Sequence, residues 1–136
     1  MVNLTAKPYF LNEDDVRWVE ETIAAMTIEE KIGQLFINMG ASRDEAYLKD
    51  AVTRYKFGGV RYNPGPSAEV HEQNRILQEN SKLPLLIAAN TEAGGNGACT
   101  DGTLVGFQVK VAATADARYA YELGRISGFE AASIGC

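Results

Sequence analysis

The segment from Leu83 to Gly97 constrains the fold more than any other part of this chain. Its first half, Leu83–Ala89, is apolar and lacks polar alternation, as expected for a strand that is covered on both faces of a parallel sheet. Asn90 and Glu92 follow, and then a glycine cluster, Gly94, Gly95 and Gly97. Active sites of parallel α/β proteins form at such junctions, because βα loops hold polar side chains over the carboxyl ends of the strands.

Two further strands precede this segment. Leu35–Asn38 and Val60–Asn63 are strand-like, and helical patterns separate the three strands at roughly 25–30 residue intervals. Strands that alternate with helices in this way indicate βα units and a parallel sheet. We therefore predict an α/β fold, and residues 1–136 show no linker that would divide them into two domains.

The helices are expected to begin at polar capping residues. A side-chain oxygen at the N-cap accepts a hydrogen bond from a free backbone N–H of the first turn, and a carboxylate three residues later completes a capping box. Five positions are predicted to cap in this way: Asn12, Thr27 with Glu30, Ser42 with Glu45, Ser67, and Thr114.

Aromatic residues fall at spacings that favour core positions. We expect them to pack inside the protein, and we expect the single histidine, His71, to be a structural residue in the middle of a helix. The aromatic set is Trp18, Tyr55, Tyr62, Tyr119, Tyr121 and Phe129.

Charge and composition exclude several functions. A net charge of −5 argues against nucleic acid or an anionic membrane as partner, because both attract basic patches. No apolar run reaches the roughly 18 residues of a membrane span, and no signal-peptide core is present, so a cytoplasmic location is expected. Cys99 and Cys136 lack metal-ligand spacing; reduced thiols are favoured, and a disulfide between them stays open.

All three predicted strands end in asparagine, namely Asn38, Asn63 and Asn90. The carboxyl ends of parallel strands share one edge of the sheet, so three amides could converge there on a polar ligand. An amide both donates and accepts hydrogen bonds, which suits sugar hydroxyls. The alternative is local, because asparagine is also favoured where a strand breaks into a turn.

We call the loop that follows the third predicted strand and contains Gly94, Gly95 and Gly97 the glycine loop. Its acidic residues allow a second interpretation. Glu92 and Asp101 could in principle supply the acid and base of a glycosidase, which needs two carboxyls about 5–9.5 Å apart. Solvated loop carboxylates are the alternative. The cluster from Gly94 to Gly97 matches neither dinucleotide nor Walker patterns, so close approach of a ligand and tight turns both explain it.

Three blocks of sequence resemble the family 3 glycoside hydrolases, in particular their β-N-acetylhexosaminidase-like branch. The first is a helix-to-strand signature, the second is a strand with its acidic Gly-Gly loop, and the third is a helix with spaced glycines. These blocks are Met26–Phe36, Leu83–Gly95, and Ala112–Asp116 together with Tyr121, Gly124, Gly128, Glu130 and Gly135.

The resemblance implies that the chain is the first three to four units of a (β/α)₈ barrel. The implied activity is retaining hydrolysis of β-linked sugars, with N-acetyl-β-glucosaminides as substrates and without metal or organic cofactor. Together with the positions at the strand ends and in the glycine loop, this leads us to expect Asn90, Glu92, Gly94, Gly95 and Asn63 as substrate-binding residues. In the family an aspartate commonly stands where this chain has Asn90.

The resemblance also implies that no catalytic residue lies in this chain. The family's nucleophile and acid/base residue are expected downstream, so the isolated chain should be inactive. The alternative is an autonomous flavodoxin-like or half-barrel domain that binds a small ligand or a partner. Unpaired sheet edges would in either case favour self-association.

Overall fold

The computed structural model describes residues 2–136 and contains one parallel sheet surrounded by helices. The strands are β1 (Ile37–Met39), β2 (Gly59–Arg61) and β3 (Leu86–Ala88). The helices are α1 (Glu13–Ala25), α2 (Ile28–Gly33), α3 (Glu45–Tyr55), α4 (Ser67–Asn80), α5 (Gln108–Ala112) and α6 (Ala117–Ser133). A short 3₁₀ turn spans Gly95–Gly97. The predicted α/β class with parallel strands is confirmed.

Strand order in the sheet is β1-β2-β3, so each strand pairs with its neighbour along the chain. A flavodoxin-like sheet has the order 2-1-3, because its chain reverses direction after the first two strands. The flavodoxin-like alternative is therefore wrong for this chain. The half-barrel alternative is compatible with the sequential order.

Register divides the strand residues between two faces. Val60 pairs with Asn38 and Ile87, and its burial shows that this row faces the helices. Successive side chains alternate between faces, so the neighbouring rows point the other way. We call that side the open face; it consists of Ile37, Gly59 and Leu86 in one row and Met39, Arg61 and Ala88 in the next.

Two hydrophobic clusters lie on the helix side of the sheet. The first joins α3, α4 and the strands through Leu48, Ala51, Val52, Phe57, Val60, Ile76, Leu77 and Leu85. The second joins β2, α4, the glycine loop and the end of α6 through Tyr62, Val70, Ala98, Cys99 and Ile134. Burial of such side chains contributes roughly 1.5–3 kcal/mol each, which makes these clusters the main source of stability.

Two of the predicted caps are confirmed. Asn12 and Asp15 form a reciprocal capping box at α1, and Thr27 and Glu30 form another at α2. In both cases the two partners lie within one turn, so local sequence is sufficient to define the cap.

The other three predicted caps are wrong. Asp44, not Ser42, caps α3 by accepting from the Tyr47 backbone N–H at 2.9 Å. Asp116, not Thr114, caps α6, since its carboxylate is the side chain that accepts from the first turn. At α4 the N-cap position is Pro66, which has no side-chain acceptor, and Ser67 is already helical.

Most of the aromatic residues expected in the core are at the surface. Tyr62 is buried, but the other five members of that set are between 53% and 74% exposed: Trp18, Tyr55, Tyr119, Tyr121 and Phe129. Helical spacing was therefore a poor guide, because α1 and α6 bury only a small part of their surface in the described residues. His71 lies on α4 and is exposed.

Glycines at the amino end of the sheet permit close backbone contacts. A Cβ at Gly33 would lie 2.4 Å from the Lys56 carbonyl oxygen, and one at Gly59 would lie 2.6 Å from the Leu86 carbonyl oxygen. Both distances are too short for an alanine side chain. Gly33 therefore lets α2 dock against the end of α3, and Gly59 lets β2 pair closely with β3.

Candidate functional site

The carboxyl ends of the three strands form a rim that consists of Met39, Arg61, Ala88 and the loops that follow. Asn38 does not belong to it, because it lies in the middle of β1 and on the helix-facing row. The expected convergence of three amides is therefore wrong for Asn38. Asn63 and Asn90 follow their strands and do lie in the rim loops.

Asn90 is held at the rim by Arg61. The Nε–H of Arg61 donates to the Asn90 Oδ1 at 3.3 Å, and an Arg61 Nη1–H donates to the Met39 sulfur at 3.2 Å. Arg61 therefore connects the ends of all three strands. Its position at the end of β2 on the open face follows from the strand register, in which it lies between Met39 and Ala88.

Within the described residues, Asn63 forms its hydrogen bond to Arg43 through its backbone carbonyl and not through its side chain. Its carbonyl oxygen accepts from Arg43, whose guanidinium also packs over Gly65. Beside Arg43 is a polar cavity of about 80 Å³ that the buried Gln73 also lines. The Nε of Arg43 is buried without a partner among residues 2–136, and a space of this size and polarity has room for ordered water.

Glu92 lies apart from the Arg61–Asn90 pair. Its exposed side chain lines an open groove of about 560 Å³ between the β3 loop, α5 and α6. Leu123, Gly124 and Gly128 form part of the α6 wall of this groove. Asn90 and Glu92 thus face different spaces, and a role for Glu92 in holding the same ligand group as Asn90 stays a prediction.

Gly94 and Gly95 allow the glycine loop to pack closely against other parts of the chain, namely Thr103 and Glu130. Gly94 has a φ of 134° and forms an isolated bridge with Leu104, where a Cβ would lie 2.2 Å from the Thr103 carbonyl oxygen. A Cβ at Gly95 would lie 1.7 Å from a Glu130 carboxylate oxygen. Loop packing therefore accounts for both glycines, and their predicted contact with substrate is untested.

Glu130 ties the glycine loop to α6. The Thr103 backbone N–H donates to one Glu130 carboxylate oxygen at 2.8 Å, and the Thr103 hydroxyl donates to the other at 2.5 Å. Both oxygens of this carboxylate are thereby engaged in holding the loop in place.

Asp101 has a structural role of the same kind. Its carboxylate accepts from the Ser67 backbone N–H at 2.8 Å and from the Ser67 hydroxyl at 2.6 Å. These hydrogen bonds lower the pKa of Asp101 below its ordinary value. Asp101 therefore supplies from a distant loop the cap that Pro66 cannot provide, and both of its carboxylate oxygens are engaged in this contact.

Tyr62 organises the second hydrophobic cluster beneath the rim. Its hydroxyl donates to the Ala98 carbonyl oxygen at 3.0 Å and lies 3.0 Å from the Cys136 sulfur. Burial raises the pKa of Tyr62 and of both thiols, so all three groups are neutral near pH 7. Cys99 and Cys136 are free thiols in this structure.

Two features are absent from the described residues 2–136. No group of three or more histidine, cysteine, aspartate or glutamate side chains is placed to hold a metal ion. No helix in this range combines the length and the apolar character needed to cross a membrane.

Sequence reasoning missed Arg61 as a site residue. One signal was available, namely a charged residue inside a short strand whose neighbours Val60 and Tyr62 are apolar. In a parallel sheet covered on both faces such a residue needs a polar partner. Glu130 offered no comparable signal, because its partner Thr103 is 27 residues away.

Comparisons with known proteins agree with this architecture. Residues 27–136 match the model of the glycosyl hydrolase family 3 N-terminal domain. The chain is 33% identical over 135 residues to a "Beta-N-acetylglucosaminidase/beta-glucosidase" from Cellulomonas fimi, of which it spans 24%. The chain therefore spans about a quarter of the length of this curated relative.

Two solved structures are similar in three dimensions. "Beta-glucoside phosphorylase BglX bound to 2FGlc" superposes with a TM-score of 0.89 at 36% identity, covering 97% of this chain and 24% of that one. "Beta-glucoside phosphorylase BglX" gives a TM-score of 0.86 at 36% identity, covering 97% and 23%. The family model covers most of the chain and the folds agree closely, so the chain belongs to glycosyl hydrolase family 3, and it matches the N-terminal part of that family's proteins.

Proposed function

We propose that this chain is the N-terminal part of a (β/α)₈ barrel that acts on β-linked sugars, with N-acetyl-β-glucosaminides as preferred substrates. The sequential order of its three parallel strands is the order that a barrel requires. The printed names of the relatives, which refer to β-glucosides and N-acetyl-β-glucosaminides, support the substrate class. A cytoplasmic location is part of the proposal.

The observation that carries the proposal is the position of Asn90 at the rim. Its Oδ1 accepts from Arg61, and its NH₂ group has no acceptor among residues 2–136, so this group can donate to a ligand. Barrel enzymes build their active sites from the loops at this end of the strands. Asn90 would therefore donate to a sugar hydroxyl oxygen that lies above the sheet.

The reactive carboxylates would come from other parts of the barrel. Retaining hydrolysis needs a nucleophile and a proton donor about 5–5.5 Å apart. Asp101 and Glu130 are both engaged in loop contacts, and Glu92 faces a different space from Asn90. We propose that residues 1–136 bind one side of the sugar and have no turnover alone.

Steady-state kinetics on the protein expressed from its complete reading frame would test the proposal. The substrates are the 4-nitrophenyl β-glycosides of N-acetylglucosamine and of glucose. We expect turnover, and we expect Asn90→Ala to raise KM about tenfold, since one hydrogen bond to the sugar is lost. Asn3→Ala, far from the rim in sequence and exposed, is the matched control and should leave KM unchanged.

Two results would contradict the proposal. The first is turnover by residues 1–136 alone that Glu92→Ala abolishes, because it would place the catalytic carboxylate in this chain. The second is the absence of turnover of either glycoside by the protein from the complete frame.

A further inference from the structure

The backbone of Asn90 lies in close contact with the glycine loop. A Cβ at Gly97 would lie 1.5 Å from the Asn90 carbonyl oxygen and 2.7 Å from its carbonyl carbon. Gly97 is not among the glycines with positive φ, so this close approach, and not the backbone conformation, requires a glycine here. Any side chain at residue 97 would push the loop away from the end of β3. The loop therefore packs directly on the backbone from which the Asn90 amide projects.

The position of Gly97 depends in turn on the later half of the glycine loop. The backbone N–H of Asn96, the preceding residue, donates to the Thr103 carbonyl oxygen at 3.3 Å. Gly94 packs against the same carbonyl group, since a Cβ there would lie 2.2 Å from the Thr103 oxygen. The part of the loop that contacts Asn90 is thus placed by Thr103.

Thr103 is held by Glu130, which belongs to α6 and not to the loop. One Glu130 carboxylate oxygen accepts from the Thr103 backbone N–H at 2.8 Å, and the other accepts from the Thr103 hydroxyl at 2.5 Å. Hydrogen bonds to a carboxylate are stronger than those between neutral groups. A continuous series of contacts therefore leads from α6 through Thr103 and Gly97 to Asn90.

We infer that Glu130 is a positioning residue for the sugar-binding amide of Asn90, and that it acts through Thr103 and Gly97. This inference rests on the proposed function, in which that amide donates to a sugar hydroxyl. Glu130 itself does not contact the sugar. It holds the loop against the Asn90 carbonyl group, and this contact limits the positions that the amide can take. Such support matters because a hydrogen bond weakens steeply when its donor is misaligned.

Three substitutions distinguish this role from a general effect on the fold. Glu130→Ala removes both acceptors of Thr103. Glu130→Gln preserves the shape, since its amide oxygen can accept from the Thr103 N–H while the Thr103 hydroxyl turns to accept from its NH₂ group. Gly97→Ala leaves Glu130 in place and displaces the Asn90 carbonyl group directly. Glu122→Ala is the matched control, because Glu122 is a carboxylate of the same helix whose partner, Arg125, is exposed.

Steady-state kinetics of the protein from its complete reading frame, with 4-nitrophenyl N-acetyl-β-glucosaminide, would test the inference. We expect Glu130→Ala and Gly97→Ala to raise KM about three- to tenfold with little change in kcat. Glu130→Gln and Glu122→Ala should change KM less than about twofold. In the Asn90→Ala background, Glu130→Ala should raise KM no further, because the amide that it positions is gone. A merely structural role would instead reduce the amount of active enzyme, and it would lower the apparent kcat equally in both backgrounds.

Hydrogen exchange of the same proteins is a measurement that does not depend on turnover. Glu130→Ala should make the Asn96 backbone N–H exchange about tenfold faster, since its acceptor Thr103 is no longer held. Glu122→Ala should leave this rate unchanged.

Three results would overturn the inference. They are an unchanged KM in Glu130→Ala, additive effects of Glu130→Ala and Asn90→Ala on KM, and an unchanged exchange rate of the Asn96 N–H in Glu130→Ala. Absence of turnover by the wild type would instead contradict the proposed function, and the exchange rates would still decide whether Glu130 holds the loop. Normal turnover with any of the three results would remove this inference alone.

Discussion

The Tyr62 hydroxyl connects parts of the chain that are far apart in sequence. It donates to Ala98 and lies beside Cys136, which is 74 residues away. Asn74, which is also buried, donates from the same cluster to the Ile134 carbonyl oxygen at 2.8 Å. These contacts hold the end of α6 against β2 and α4.

Tyr62→Phe should lower the free energy of unfolding by about 1–3 kcal/mol, because the buried Ala98 carbonyl oxygen loses its donor. Urea denaturation followed by circular dichroism measures this difference. Tyr55→Phe is the matched control, since Tyr55 is 60% exposed and should change stability very little. Equal effects of the two substitutions on the free energy of unfolding would show that the contact of the Tyr62 hydroxyl does not stabilise the fold.

For single residues, the sequence predicted a member of the candidate site only where the neighbouring residues in the chain were sufficient evidence. Asn90 was identified because an amide directly after an apolar strand is visible in the sequence. The partner that orients it, Arg61, is 29 residues away, and the pairing depends on the register of β2 and β3. Register is a property of the assembled sheet, so this half of the candidate site was not predicted.

The helix ends also show that local contacts can be predicted from the sequence, whereas contacts between distant segments cannot. The N-cap Asn12 of α1 and the capping box of α2 were predicted because the residues that form each cap lie within four positions of one another. The cap of α4 was not, because its acceptor, Asp101, comes from a loop 34 residues away. A proline at the N-cap position leaves that helix dependent on a tertiary contact.

Asp101→Asn should lower the stability of the protein near pH 7, and the loss should diminish in acid. The pKa of Asp101 is lowered in the folded protein by hydrogen bonds from Ser67, so its stabilising effect is present above its ordinary pKa, near 3.8. The effect is lost as pH falls through the lower folded value, where the carboxylate protonates.

Thermal melts at pH 7 and at pH 3 measure this dependence. Asp50→Asn is the control, because the one contact of the Asp50 carboxylate among residues 2–136 is an exposed one, with Arg54 at 4.0 Å. A loss of stability that is the same at both pH values would contradict the role of the charged cap.

Glycines in two helices should respond in opposite ways to substitution by alanine. Gly33→Ala should destabilise the protein by about 1–3 kcal/mol, because the new Cβ meets the backbone of α3. Gly124→Ala should stabilise it by about 0.5–1 kcal/mol, since the position is in the interior of α6 with no atom within 4 Å of the new Cβ. Equilibrium unfolding of the two variants gives the signs, and changes of the same sign would contradict this packing.

On the scale of the whole molecule, the open face is an apolar surface without a partner among the described residues. Besides the strand residues, Leu35 and Phe36 are 82% and 61% exposed just before β1. Apolar patches of this kind promote association. Residues 1–136, expressed alone, should therefore self-associate.

Leu86→Gln should reduce that association, because Leu86 is 74% exposed on the open face. Leu104→Gln is the matched control, since Leu104 is 66% exposed but lies in the glycine loop. Light scattering at several concentrations measures the effect. A monodisperse chain with a cooperative melt would instead favour an autonomous half-barrel module.

The fold class followed from the sequence because apolar strands and capped helices alternate at regular distances. The distribution of aromatic residues did not follow, because helical spacing cannot show which face of a helix is covered. Trp18 and Phe129 lie on helices that bury little of their surface in the described residues. Burial depends on neighbours that the periodicity of one helix does not specify.

The link between Tyr62 and the end of α6 has a consequence for the order of folding. The first hydrophobic cluster needs only residues 48–85, whereas the second also needs Ile134 and is joined by Cys136. At a synthesis rate of about 5–20 residues per second, the 74 residues that separate Tyr62 from Cys136 take roughly 4–15 s to emerge. On the ribosome, α3 and α4 can therefore settle on β2 several seconds before the rim loops acquire the contacts that hold them.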